Sequence, residues 1–115
     1  HFLKRINPLS DFKISDEHPS SQLEFRNLGE EAGVSRIESY QYQWFRFDNL
    51  RFNLKSLGEV RTTRRRQLPI PKDEAEFLMV RIRTLSLQHK AWKKGVEVFL
   101  RNGQHRSVVG LEREL

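Results

Sequence analysis

Histidines and carboxylates are the side chains of this sequence that could most readily support catalysis or metal binding. The four histidines are His1, His18, His89 and His105. Their spacing matches neither HxH nor HExxH, so it gives no sign of a shared metal ion. The chain also lacks cysteine, a GxSxG elbow and a glycine-rich phosphate loop. We therefore predict that the protein is not an enzyme and that it uses no metal or cofactor.

Basic clusters are the second group of side chains with a recognisable chemistry. Arg64, Arg65 and Arg66 are consecutive, and a second cluster follows at residues 90–94. Guanidinium groups suit phosphates, and phosphate contacts give nucleic-acid binding its dependence on salt. However, the chain has no RNP-like run, no GxxG loop and no helix that could enter a groove. Arginines also protect sheet edges from aggregation, so a structural role for this cluster stays open.

The positive charge is distributed unevenly along the chain. Residues 1–58 carry 8 Lys/Arg and 8 Asp/Glu, whereas residues 59–115 carry 13 Lys/Arg and 7 Asp/Glu. The whole net charge of +6 therefore comes from the second half. Such an asymmetry indicates either an anionic partner or a basic surface that keeps the domain soluble.

The stretch YQYQWFRFDN at residues 40–49 holds five aromatic side chains within eight positions. Its composition predicts a strand, in which side chains alternate between two faces. We expect Tyr40, Tyr42 and Trp44 to pack in the core, which turns Phe45 and Phe47 outward. These two rings then need a cover.

Whether the stretch is a binding surface depends on what packs against the two outward rings, Phe45 and Phe47. Trp92, in the basic connection at residues 89–95, and the N-terminal FLKRI segment are candidates within the chain, and a partner is the third. Alternatively, an exposed row of tyrosines and tryptophan would stack on sugars or bases, with Gln41, Gln43, Asp48 and Asn49 available as polar contacts.

The strands predicted from the sequence determine where these residues lie in the fold. Alternating patterns predict seven strands, at residues 22–28, 39–48, 51–57, 60–67, 75–87, 96–101 and 107–114. Asn102-Gly103 predicts a tight hairpin turn that places Val96 opposite Val109. The prolines of LPIP, residues 68–71, predict an extended, unpaired segment at the edge of a sheet or at a crossing. The pattern is typical of an all-β protein, an antiparallel Ig-like β-sandwich of about six or seven strands, with a small barrel as the alternative.

We interpret residues 1–115 as a single β-sandwich module, either a mature protein or a piece excised from a longer chain. No run of about 18 apolar residues is present, so no membrane span is expected. The predicted function is a non-catalytic interaction or accessory domain of a larger secreted or cell-envelope protein. It would bind a protein partner or a domain of its parent chain through an aromatic and basic surface. The residues proposed for this surface are Phe45, Phe47, Trp92, Arg64, Arg65 and Arg66. Carbohydrate binding and salt-dependent nucleic-acid binding by Arg64–Arg66 are the alternatives.

Overall fold

The computed structural model describes residues 3–5, 12–15, 21–33, 36–48, 51, 53–86, 95–101 and 107–113. These residues form ten strands and one short helix: β1 (Leu3–Arg5), β2 (Phe12–Ile14), β3 (Gln22–Asn27), α1 (Leu28–Glu31), β4 (Ile37–Asp48), β5 (Asn53–Ser56), β6 (Arg61–Thr63), β7 (Gln67–Pro69), β8 (Phe77–Ser86), β9 (Gly95–Arg101) and β10 (Ser107–Arg113). The predicted all-β class is confirmed.

The strands form two antiparallel sheets that pack against each other. The large sheet has the order β1-β10-β9-β8-β4-β5, and β6 also pairs with β4. The small sheet has the order β2-β3-β7. The β-sandwich prediction is therefore confirmed, whereas no pairing among the described strands closes a barrel. The structure has ten strands instead of six or seven because three-residue pieces such as β1 and β2 are too short to show an alternating pattern.

Strand β4 is the longest strand of the large sheet, and it pairs with three other strands. One edge of β4 pairs with β8 along most of its length, from Ile37 to Phe47. Its other edge pairs first with β6, at residues 40–42, and then with β5, at residues 45–48. The alternation of side chains in β4 therefore decides which residues enter the core and which face outward.

The core lies between the two sheets and is built from alternate residues of their strands. Aromatic rings join the layers, since Tyr40 on β4 packs edge-on against Phe25 on β3, with ring centroids 4.9 Å apart. The prediction that Tyr40, Tyr42 and Trp44 are core residues is confirmed by their burial. The remaining buried core residues are Phe12, Leu23, Phe25, Leu68, Leu78, Val80, Ile82, Val96, Val98 and Leu100.

Two local predictions differ from the structure. The LPIP segment is not unpaired, because β7 forms the edge of the small sheet and Leu68 lies opposite Leu23 of β3. In the last hairpin, Val109 lies opposite Phe99, not Val96, and the register shifts between Ser107 and Val109. That irregularity is a feature that a simple hairpin count cannot include. The Asn102-Gly103 turn itself lies outside the described residues.

The segment after β3 turns through α1, a single helical turn. Asn27 caps this turn, because its side-chain oxygen accepts a hydrogen bond from the backbone N–H of Glu30 at 2.9 Å. The cap holds Glu30 and Glu31 in the first turn, where acidic residues are favoured. Both carboxylates then pair with arginines from neighbouring segments.

Candidate functional site

The outward face of β4 carries Phe45 and Phe47, as the alternation predicts. Both rings are half-buried, and their cover comes from neighbouring strands of the same sheet. Phe47 packs edge-on against Phe99 of β9, with ring centroids 5.2 Å apart. The guanidinium of Arg81, on β8, lies 5.1 Å from the centre of the Phe45 ring. The two phenylalanines therefore belong to a surface that spans three strands.

Strand register extends this surface into a continuous apolar area. Residues directly opposite each other in an antiparallel sheet share a face. Leu54 and Phe77 lie opposite Phe47 on its two sides, and Met79 lies between Phe45 and Phe99 in the next row. We call this area the outer patch, and it consists of Phe45, Phe47, Leu54, Phe77, Met79 and Phe99.

The outer patch has a packed centre and more accessible surroundings. Met79 is fully buried, at 0% exposure, between two large rings of its row. Leu54 is 37% exposed. It is one of two large hydrophobic side chains that are exposed among the described residues. Half-buried phenylalanines connect the two. This gradient from a dry centre to an accessible margin resembles the anatomy of a binding surface.

Arginines accompany the phenylalanines of the outer patch. Arg81 lies over Phe45 and forms an ion pair with Glu97, at 2.9 Å. Arg101 lies 5.7 Å from the Phe77 ring centre and pairs with Glu76 at 2.6 Å. Cation–π attraction holds both guanidinium groups close to the rings. Arginines therefore lie beside phenylalanines on this face, but they are Arg81 and Arg101 and not the predicted Arg64, Arg65 and Arg66.

A cleft borders the outer patch at one end of the sandwich. Its volume is about 700 Å³, and Phe47 and Phe77 form part of both the cleft and the patch. Polar and charged side chains complete the lining, including Arg46, Lys55 and Glu76. The cleft therefore places polar and charged side chains in a recess next to the apolar outer patch.

A second, smaller groove opens on the inner side of β4, between the edges of the two layers. Its volume is about 260 Å³, and it lies between the β5–β6 connection and residues 69–71. Tyr42 and Trp44 complete the lining. Nε1 of Trp44 is buried and has no hydrogen-bond partner within the described part of the chain. A buried donor left without an acceptor costs about 1–3 kcal/mol.

The predicted arginine cluster does not join the outer patch. Arg66 lies over the inner-face ring of Tyr40, 5.0 Å from its centre, and forms an ion pair with Glu30. Hydrogen bonding to Glu30 raises the pKa of Arg66 above its usual value. Arg64 and Arg65 are exposed on the connection from β6 to β7. The structure therefore separates this cluster from Phe45 and Phe47, which lie on the opposite face of β4.

Several predicted residues lie outside the described part of the chain. They are Trp92, the lysines of the second basic cluster and all four histidines. Among the residues that the structure does describe, no group of three or more acidic side chains is arranged to hold a metal ion. No helix in the described ranges is long and apolar enough to cross a membrane.

The comparisons with known proteins give no relative for this chain. No family model, no curated protein and no solved structure matches it.

Sequence reasoning missed most of the outer patch. Leu54, Phe77 and Phe99 were not among the predicted site residues, nor were Arg81 and Arg101. The signal that could have found them is the second face of the predicted strands, where phenylalanine and arginine alternate with buried aliphatic residues. Pairing of β4, β5, β8 and β9 brings these second faces together, and the order of strands is not visible in the sequence.

Proposed function

We propose that the protein is a non-catalytic interaction module that binds a protein partner on the outer patch. The observation that supports this proposal is the group of half-exposed phenylalanines in two adjacent rows of the outer patch, with arginines held against two of the rings. Aromatic residues and arginine are enriched in the centres of protein interfaces. An aromatic face on a rigid sheet also loses little conformational entropy when it binds.

The partner that suits this surface has an apolar centre surrounded by acidic groups. Arg81 and Arg101 are neutralised by carboxylates, whereas Arg83 forms no ion pair within the described residues and lies on the same face, opposite Gln41. Among the residues that the structure describes, the charge left at the margin of the outer patch is therefore the positive charge of Arg83. Complementary charge speeds the encounter and excludes partners of the wrong sign.

The two alternative functions have less support from the site. Burial of Tyr40, Tyr42 and Trp44 removes the flat aromatic platform on which the carbohydrate-binding alternative depended. The nucleic-acid alternative depends on the cluster Arg64–Arg66, but Arg66 is engaged with Glu30 and Tyr40 on the face of β4 opposite to Phe45 and Phe47. The protein-binding proposal uses only side chains that the structure brings together.

Site-specific photocrosslinking tests the proposal. A benzophenone amino acid replaces Leu54 in the outer patch, or Lys13 on the small sheet as the matched control, and each variant is exposed to an extract of the source cells. We expect one protein to crosslink from position 54 and not from position 13. Equal crosslinking from both positions contradicts the proposal.

Affinity measurements with the purified partner provide the second arm of the test. We expect Phe47→Ser to weaken binding by at least about tenfold, as truncation of a central aromatic residue does. Arg64→Gln is the control and should leave the affinity unchanged. A partner that binds both variants equally, or oligonucleotide binding that falls steeply between about 50 and 200 mM salt, would instead favour another surface.

A further inference from the structure

A shallow recess on the outer face of the large sheet differs in charge from the cleft and from the groove between the layers. It holds about 110 Å³, and its lining residues are Gln41, Tyr42, Gln43, Val60, Arg81 and Arg83. These residues include no carboxylate, whereas Glu76 lines the cleft and Glu59 lines the groove. The recess therefore combines two guanidinium groups with neutral side chains.

The two arginines of the recess differ in how their charge is compensated. Arg81 forms its ion pair with the buried carboxylate of Glu97. Arg83 is half-buried, and within the described part of the chain it forms neither an ion pair nor a side-chain hydrogen bond. The register explains the difference, because Gly95 is two residues before Glu97 on β9 and therefore lies beside Arg83. Glycine supplies no carboxylate and leaves the space next to the guanidinium open.

The two amide side chains of the recess have separate roles. Gln43 donates from Nε2 to Oγ of Ser56 at 2.9 Å and to the carbonyl of Gly58 at 3.0 Å, so it forms a fixed wall on the side of β5. Gln41 lies directly opposite Arg83, and its half-buried side chain has no hydrogen-bond partner among the described residues. The amide of Gln41 can therefore donate to an oxygen atom that Arg83 also binds.

We propose that this recess binds one carboxylate group, supplied by an aspartate or glutamate side chain of the protein partner, an inference that rests on the proposed function. A guanidinium group binds a carboxylate through two parallel N–H···O hydrogen bonds, and Gln41 adds a third donor. The single uncompensated charge of Arg83 matches a monoanion. A phosphate monoester carries about 1.5–2 negative charges, so part of its charge would have no cation in the recess.

The recess lies beside the outer patch, so one partner can contact both. Arg81 belongs to the recess and also lies over the Phe45 ring of the patch. Arg83 is four residues beyond Met79 on β8, which corresponds to roughly 13 Å along the strand. We therefore expect the partner to present its acidic side chain at this distance from the apolar centre of its own interface.

A titration with sodium acetate tests the recess in the absence of the partner. Sodium chloride keeps the ionic strength constant, and proton–nitrogen correlation spectra follow the Arg83 Nε–H and the Gln41 side-chain amide. We expect both resonances to shift and to saturate with a Kd on the order of 10 mM, which is within the limit for a ligand of about four heavy atoms. Arg64 is the control for an exposed arginine, and its Nε–H should show no saturable shift.

Variants and a second anion decide the outcome of the titration. Arg83→Gln should abolish the saturable shift of the Gln41 amide, whereas Phe47→Ser in the outer patch should retain the acetate Kd. Shifts that stay linear up to about 200 mM acetate, or an equal shift at Arg64, would overturn the proposal. Inorganic phosphate that binds more than about tenfold tighter than acetate would assign the recess to phosphoryl groups and would also overturn it.

Affinity for the purified partner separates this inference from the proposed function. Arg83→Gln should weaken binding by about tenfold, as the loss of a hydrogen bond to a charged group does. If Phe47→Ser weakens binding and Arg83→Gln does not, the carboxylate of the partner does not occupy the recess. If only Arg83→Gln weakens binding, the recess is supported and the outer patch is not the binding surface.

Discussion

The carboxylate of Glu97 lies 2.9 Å from the guanidinium of Arg81 and is almost completely buried, at 2% exposure, although it faces away from the core between the sheets. The two residues are directly opposite each other on β9 and β8. Their pairing fixes the guanidinium of Arg81 over the Phe45 ring. A charged pair thus stabilises the centre of the outer patch.

Replacing one member of this ion pair should lower the free energy of unfolding more than replacing both members. Arg81→Met removes the ion pair between Arg81 and the buried carboxylate of Glu97, and we expect a loss of about 3 kcal/mol in the free energy of unfolding. This value is at the low end for buried pairs because the Arg81 side chain is 26% exposed. The double variant Arg81→Met/Glu97→Met should recover most of the loss, because apolar replacements of a buried pair are often neutral. Urea denaturation measures all three proteins, and a double variant no more stable than Arg81→Met would contradict this account.

The three consecutive arginines should differ in their contribution to stability. Arg66→Gln removes an ion pair with Glu30 and a stacking contact with Tyr40, so we expect a loss of about 1 kcal/mol. Arg64→Gln and Arg65→Gln are matched controls on the same connection and should stay within about 0.5 kcal/mol of the parent protein. Chemical denaturation distinguishes these expectations. A similar loss in all three variants would show that the cluster acts as a unit.

The sequence predicts which face of β4 is buried but not what lies beside its other face. Alternation over residues 40–48 is long and regular, so the burial of Tyr40, Tyr42 and Trp44 follows from a period of two alone. The partners of Phe47 depend on which strands are neighbours. Leu54 comes from the adjacent hairpin, whereas Phe99 lies about fifty residues further along the chain and reaches Phe47 only through the order β9-β8-β4.

The sequence also does not predict which of the three consecutive arginines forms contacts with other residues. Three consecutive arginines read as one basic cluster, because their spacing carries no information about carboxylates elsewhere in the chain. Glu30 is brought to Arg66 by the capped turn α1, and Tyr40 is brought there by β4. Tertiary structure therefore divides the cluster into one engaged arginine and two exposed ones.

Glu31 provides a test of the turn that follows β3. A hydrogen bond from Arg26 is the main cause that holds the pKa of Glu31 below its usual value, and the charge of Lys13 contributes least. We expect Arg26→Gln to raise the pKa of Glu31 toward its ordinary range, and Lys13→Gln to raise it less. Carboxyl-carbon NMR titration measures both shifts.

The direction of the accompanying pH effect follows from linkage. Because the pKa of Glu31 is lower in the folded protein than in the unfolded chain, its contribution is fully present above the unfolded pKa. It is lost as the pH falls through the folded pKa. Arg26→Gln should therefore reduce the sensitivity of stability to acid, and an unchanged titration of Glu31 would show that the contact with Arg26 does not persist in solution.

The edge of the small sheet formed by β7 should resist pairing with another chain because of Pro69, at the end of the strand, and Pro71, just beyond it. The backbone N–H of Ile70 donates inward to the carbonyl of Ser21, at 2.8 Å. Since N–H directions alternate along a strand, the nitrogens of Pro69 and Pro71 face outward, where proline has no hydrogen to donate. The exposed edge of the small sheet therefore lacks donors at two successive outward positions. Prolines at such positions protect sheet edges from association.

Restoring these two donors should make the small sheet prone to association. We expect Pro69→Thr/Pro71→Thr to form concentration-dependent dimers or larger species, because threonine supplies the N–H and has a high β propensity. Each single variant restores one donor and should associate more weakly than the double variant. Size-exclusion chromatography with light scattering measures the mass at several concentrations, and circular dichroism confirms that the fold is retained. If the double variant has the same mass distribution as the parent protein, the prolines are not what keeps this edge unpaired.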